Sequence, residues 1–149
     1  MYTHILVPTD GSPLSLKAAK AAVELARVMK TKITAVYATA PWMPPLAGEG
    51  ELPQRLFTME SDYRKAMEKE AEKALASVES VARTAKVECG KLHVIDDQPW
   101  NGIINAAGRE HCDLVVMASH GRRGLAGLLL GSETVKVLTH SKIPVLVCR

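Results

Sequence analysis

A chain of 149 residues, 47% hydrophobic and 23% charged, is sized for one self-sufficient core that buries roughly 70% of the unfolded surface without staples. No apolar run approaches the ~18 residues that cross a membrane, and a net charge of +3 lends no support to nucleic-acid binding. The opening Met-Tyr-Thr-His lacks the basic and apolar regions of a secretory leader, so a cytoplasmic location is expected.

Residues 4–7 begin a strand, and Pro8-Thr9-Asp10-Gly11 turns out of it. Ser12 suits an N-cap and Pro13 the first helical position. Leu16, Ala19, Val23, Ala26 and Met29 recur at spacings of three and four, laying one apolar stripe along a helix that runs to about residue 30. Asp10, at the carboxyl end of a strand, has two readings. Open α/β sheets bind ligands there, so its carboxylate can contact a nucleoside or a metal. Alternatively it favours the positive end of the helix at Ser12, worth ~0.3–1 kcal/mol.

Residues 32–40, with Val36 among them, read as a second strand, parallel to the first by a right-handed crossover. Pro41, Pro44, Pro45 and Pro53, with Gly48 and Gly50, exclude helix and central strand over 41–53. Trp42 and Met43 in this long loop either fold over a ligand or anchor the loop to its own surface. Residues 54–84 carry a long helical pattern, with Tyr63, Met67, Ala71, Ala74, Val78 and Val81 on one face and charges of both signs on the other.

A third strand is expected over 87–94, followed by Asp96 and Asp97, and Pro99 opens a short helix through Ile103, Ile104 and Ala107. Adjacent carboxylates diverge and no third ligand is placed, which favours turn and capping chemistry over a metal site. His111-Cys112-Asp113 reads likewise as a helix-to-strand turn. Cys89, Cys112 and Cys148 are odd in number and lack a C-x-x-C pair, which indicates neither a disulfide framework nor zinc.

Leu114, Val115, Val116 and Met117 form a strand buried on both faces, which empties into a loop with Gly121, Gly124, Gly127 and Gly131. A helix restarts at Ser132 and runs to about residue 140, and a last strand follows over 144–148. A strand, a glycine-rich loop and a helix N-terminus in series make an anion cradle; a mobile loop capped by Ser132 accounts for the same glycines. The spacing is neither a P-loop nor a dinucleotide fingerprint. Arg122 and Arg123 read as solvated, and His120 as a local contact.

The run Ala118-x2-Gly121-x9-Gly131-Ser132 resembles the G-x2-G-x9-G-[ST] signature of ATP-binding universal stress proteins, with Ala118 in place of the first glycine. Ile5-Leu6-Val7-Pro8-Thr9-Asp10-Gly11-Ser12 and Lys142-Ile143-Pro144-Val145-Leu146-Val147 resemble that family's first strand and closing strand, so the likeness spans essentially the whole chain as a single domain. It implies an α/β, Rossmann-like fold: one doubly wound domain with a five-stranded parallel sheet of order 3-2-1-4-5 and helices on both faces. It further implies a nucleotide site made of Pro8, Thr9, Asp10, Val36 (or its neighbour Tyr37), Met117, Ala118, His120, Gly121, Gly131, Ser132, Glu133 and Thr134. In that site the Ser132 and Thr134 hydroxyls reach phosphate, and Gly131 allows close approach. The implied ligand is ATP, with AMP and cyclic AMP as alternatives and Mg2+ as a companion of the phosphates. The implied partner is a second copy paired through the C-terminal strand, with no nucleic acid and no membrane. The role implied is regulatory, in a stress response. No P-loop lysine, general base or arginine finger is positioned, so hydrolysis is expected to be weak at most. A slow ATP hydrolase and a structural dimer with no nucleotide are the alternatives.

Overall fold

A computed structural model describes residues 1–45, 53–122 and 130–149. Five strands and four helices alternate along the chain: β1 (His4–Pro8), α1 (Pro13–Met29), β2 (Lys32–Thr39), α2 (Pro53–Thr84), β3 (Cys89–Ile95), α3 (Pro99–Arg109), β4 (Leu114–Ala118), α4 (Ser132–His140) and β5 (Val145–Cys148). The strands pair in parallel in the order β3-β2-β1-β4-β5, as expected.

Because both faces of the sheet are covered, the central strands are apolar at successive positions rather than alternate ones. Ile5, Val7, Leu114 and Val116 pack with Val23 of α1 and Val78 of α2. Leu6, Val36, Val115 and Met117 pack with Ile103 of α3 and Val137 of α4. Each fully buried aliphatic side chain contributes about 1.5–3 kcal/mol through removal from water.

Local chemistry sets the boundaries. Ser12 Oγ accepts the Ser15 N–H at 3.2 Å and caps α1, and Lys30, with φ 55°, closes that helix by donating to Ala26 and Arg27. In α2 only the C-terminal half is buried, at Ala71, Ala74, Leu75, Val78 and Ala82; Tyr63, Met67 and Val81 of the expected face are half-buried. Strand β3 starts at Cys89 rather than 87 because Lys86 turns left-handed (φ 58°) and Val87 donates to Ala82 at 2.9 Å, which spends residue 87 on closing α2. Gly131, not Ser132, occupies the N-cap of α4, and it has no side chain with which to cap the helix. Ser132 is instead its first helical residue, which corrects the expected Ser132 cap.

One interruption in the sheet positions the site. Pairing of β1 with β2 continues to Pro8–Val36 and pairing of β4 with β5 to Ala118–Cys148. The ladder between β1 and β4 contains only Ile5–Leu114 and Leu6–Val115. Thr9 donates to Val36 on the β2 side, so Pro8, the adjacent residue, presents its nitrogen to β4. Proline has no N–H to give, and the central ladder stops there. The strand order reverses at this same seam, where open sheets form a crevice.

Candidate functional site

Above the end of the β1/β4 ladder, the Asp10 carboxylate joins the two loops. Its Oδ1 accepts the Ser12 N–H at 2.9 Å and its Oδ2 accepts the Arg122 N–H at 2.7 Å. Burial alone pushes the Asp10 carboxyl upward, but hydrogen bonds from Ser12, Arg122 and Ser15 outweigh it and hold the group below the ordinary aspartate value. Asp10 thus stabilises the turn into α1 and stands beside Gly121, just past the end of β4.

Two glycines are required by space. A β-carbon on Gly121 would stand 2.4 Å from Asp10 Oδ2, and one on Gly131 would stand 3.2 Å from both Cα and Cβ of His120. Gly131 has φ −72°, which any residue adopts, so proximity rather than backbone freedom selects glycine there. Its N–H donates to Ser119 O at 2.7 Å, and Ser119 N–H in turn donates to Cys148 O at 2.7 Å. Ser119, 2% exposed, thus ties the loop ends to β5, a role the sequence did not single out. Gly124, Gly127 and Arg123 lie outside the described residues.

The remaining expected residues divide between the crevice and its supports. Thr9 is 7% exposed; its hydroxyl bonds Ser15 Oγ at 3.1 Å and accepts the Gly11 N–H. Val36 and Met117 are core residues; Tyr37 lies on the opposite sheet face. Ala118 is paired in β4 with extended backbone, so a methyl group replaces the family's glycine without strain at that position. His120 Nδ1 bonds Ser119 Oγ at 3.1 Å. Ser132 is exposed.

Two of the implied site residues have side-chain partners elsewhere in the fold. The Thr134 hydroxyl is buried and donates to Ala118 O at 3.0 Å, which holds α4 on β4. The Glu133 carboxylate accepts the Trp100 N–H at 2.9 Å and so caps α3, where Trp100 also packs on His140 with ring centroids 4.5 Å apart. It stabilises the helix layer, and an acidic group facing phosphate would be repulsive.

Elsewhere the candidate chemistry resolves into structure. Asp96 accepts from Gln98 N–H and Asn101 Nδ2, which is turn chemistry. His111 (φ 54°) makes the turn from α3 to β4. Burial pushes the Cys112 thiol up to about 11, far from thiolate character. Among the described residues no three His, Cys, Asp or Glu side chains converge as a metal would require, and no helix is long and apolar enough to cross a membrane. An open depression of about 510 Å³, lined in part by Thr3, Arg27, Lys30 and Lys86, lies at the opposite end of the sheet.

A family model described as the universal stress protein family matches residues 1–149. Universal stress protein MJ0531 of Methanocaldococcus jannaschii is 32% identical over 154 residues, an alignment covering 100% of this chain and 83% of that protein. The solved structure of MJ0577 from the same organism, a protein then described as hypothetical, superposes with a TM-score of 0.79 at 25% identity, covering 99% of this chain and 95% of that one. A universal stress protein solved in complex with cAMP gives a TM-score of 0.70 at 26% identity, covering 99% and 97%. With a family model spanning its full length and a relative of this identity, the chain belongs to the universal stress protein family.

Proposed function

We propose that the protein is an adenine-nucleotide binding module, with ATP and its Mg2+ as the ligand, that acts by changing state rather than by chemistry. The observation that carries this reading is the close packing above the broken ladder, Gly121 against Asp10 and Gly131 against His120, where a β-carbon at either glycine would crowd its neighbours. Helix α4 supplies the donors. Its N-cap is Gly131, which has no side chain to give, and in this reading the N–H groups of its first turn, at Ser132 and Glu133, hold an anion at the positive end of the helix. The related protein solved with cAMP supports an adenine nucleotide as the occupant. In this reading Pro8, Thr9 and Val36 shape the floor beside the base, and Met117, Ala118 and His120 carry the chain into the cradle.

Regulation is favoured over hydrolysis by Asp10 itself. Its two oxygens each accept a backbone N–H and its pKa is lowered, which makes it an anchor and a poor proton acceptor. The whole chain then works as one cytoplasmic stress-response domain. It pairs with a second copy through β5, an edge strand bearing Leu146 at 45% exposure; a strictly monomeric species by light scattering would sink the dimer.

Mass spectrometry of nucleotide released by denaturing freshly purified protein tests the reading. Near-stoichiometric ATP is expected from the parent and little from Gly131→Val. A parent that is empty and fails to take up millimolar Mg-ATP contradicts it.

A further inference from the structure

The mouth of the crevice carries an ionic group that neither the phosphate cradle nor the core accounts for. Arg122 follows Gly121, with its N–H fixed on Asp10 at 2.7 Å. Its guanidinium turns back over the β1-to-α1 turn. There Nη1 lies 3.4 Å from Glu70 Oε2, and Nη2 lies 2.9 Å from where a β-carbon on residue 11 would stand. Gly11, at φ 77°, leaves that space free and takes a left-handed backbone at no steric cost.

Glu70 is seated in its turn. The same Oε2 accepts the Tyr37 hydroxyl at 3.4 Å, and Tyr37 is 7% exposed with its ring edge-on to His93. Helix α2 thus reaches the glycine loop through one carboxylate resting on a buried aromatic ring. The two charged side chains are 51% and 47% exposed, so their pairing contributes little to stability. Beside the start of α1 the guanidinium also faces the positive end of that helix, and the nearby Asp10 carboxylate is already engaged by two backbone N–H groups. A cation held in such a place by a single exchangeable carboxylate oxygen is suited to a second anion.

We propose that Arg122 makes the site discriminate adenine nucleotides by phosphate number, and that Glu70 is a positioning residue that competes with phosphate for the guanidinium. This rests on the adenine-nucleotide reading above. Guanidinium and phosphate meet through two charge-assisted hydrogen bonds, whereas Glu70 offers one oxygen at 3.4 Å. Terminal phosphates draw Arg122 away from Glu70. AMP ends at its first phosphate and adenosine has none, so neither extends a terminal phosphate to Arg122 and both leave the pair in place.

Titration calorimetry of ATP, AMP and adenosine against the parent, Arg122→Gln, Glu70→Gln and the double variant tests the proposal. Arg122→Gln is expected to weaken ATP about tenfold, and Glu70→Gln to tighten it about threefold, with AMP and adenosine within about twofold throughout. The Glu70→Gln gain is expected to vanish when Arg122 is replaced. Equal shifts for ATP and adenosine, an unchanged ATP affinity in Arg122→Gln, or a Glu70→Gln effect that persists without Arg122 overturns the proposal while leaving nucleotide binding intact. A parent that binds no adenine nucleotide overturns both. Arg122→Lys, which keeps charge but loses the fork, is expected to fall between parent and Arg122→Gln for ATP alone.

Discussion

The two central strands are held at each end by an aspartate that accepts backbone N–H groups, and the two ends differ in everything around that carboxylate. At the amino end, Asp113 accepts the N–H groups of Thr3 and His4 and the Thr3 hydroxyl at 2.8–3.0 Å. The His4 ring is satisfied as well, because Nδ1 donates to Glu110 O and Nε2 accepts from Thr34 Oγ1. At the carboxyl end, Asp10 also accepts two N–H groups, yet the ladder beneath it has stopped and Gly121 faces it. Aspartates on backbone donors therefore do not mark a site by themselves. What distinguishes Asp10 is the close approach of Gly121, which leaves no room there for a side chain.

The largest expected break of that contrast is Gly121→Val. A β-carbon 2.4 Å from Asp10 Oδ2 must displace the carboxylate or the loop, with strain of about 1–3 kcal/mol. ATP affinity is expected to fall about tenfold to a hundredfold, measured by calorimetry; unchanged affinity would mean that Gly121 does not shape the crevice.

The two aspartates exchange roles when each becomes asparagine. Asp113→Asn is expected to cost about 1–2 kcal/mol of stability in urea titrations, through lost charge-assisted bonds at a partly exposed group, while ATP affinity stays within about twofold. Asp10→Asn is expected to weaken ATP about fivefold or more at a smaller stability cost. If both variants lose only stability, the distinction drawn between the two ends fails.

How far this contrast was legible in the sequence depends on which interactions are local. Strand and helix order followed from apolar runs, caps and prolines, and the order of the sheet from the family resemblance. Asp10 was recognisable because a strand, a turn and an N-cap lie within nine consecutive residues. Asp113 read correctly as part of a turn, but its bonds to Thr3 and His4 span more than a hundred residues of chain, and no local pattern records them. Nor does any local pattern record the Arg122 N–H on Asp10, 112 residues away, or Glu70 beside Arg122, 52 residues away. Thr134 and Glu133 were assigned to the crevice by position in a motif, whereas the direction of a side chain on the first turn of a helix depends on the neighbours it meets. Pro8 reads in the sequence as the first residue of the turn, whereas it ends β1; its consequence for the central ladder emerges only when the phase of hydrogen bonding across the sheet is known.

Acid sharpens the comparison more gently. Burial raises the carboxyls of both Asp10 and Asp113, and their hydrogen bonds more than offset it, leaving both below the ordinary value. A carboxyl depressed by folding stabilises above its unfolded pKa of about 3.9, and that contribution fades as pH falls through the lower folded value. Urea midpoints are expected to hold between pH 7 and pH 5 and to fall below about pH 4, with a shallower fall in Asp113→Asn. Equal acid sensitivity in the variant would show that Asp113 carries none of it.

The smallest expected effect comes from Pro8→Val, which restores an N–H facing β4. The added ladder bond is expected to slow amide exchange at residue 8 and to weaken ATP about twofold by closing the seam. A residue 8 amide that exchanges freely would show that proline is not what ends the ladder.

The most direct test follows backbone amide resonances during titration with Mg-ATP. Saturating shifts are expected at Ser12, Gly121, Gly131 and Ser132, with the Thr3, His4 and Asp113 amides unmoved at the other end of the same strands. Shifts confined to the Thr3 and Asp113 end, or none at Gly121 and Gly131, would contradict the assignment of the nucleotide to the seam that Pro8 leaves open.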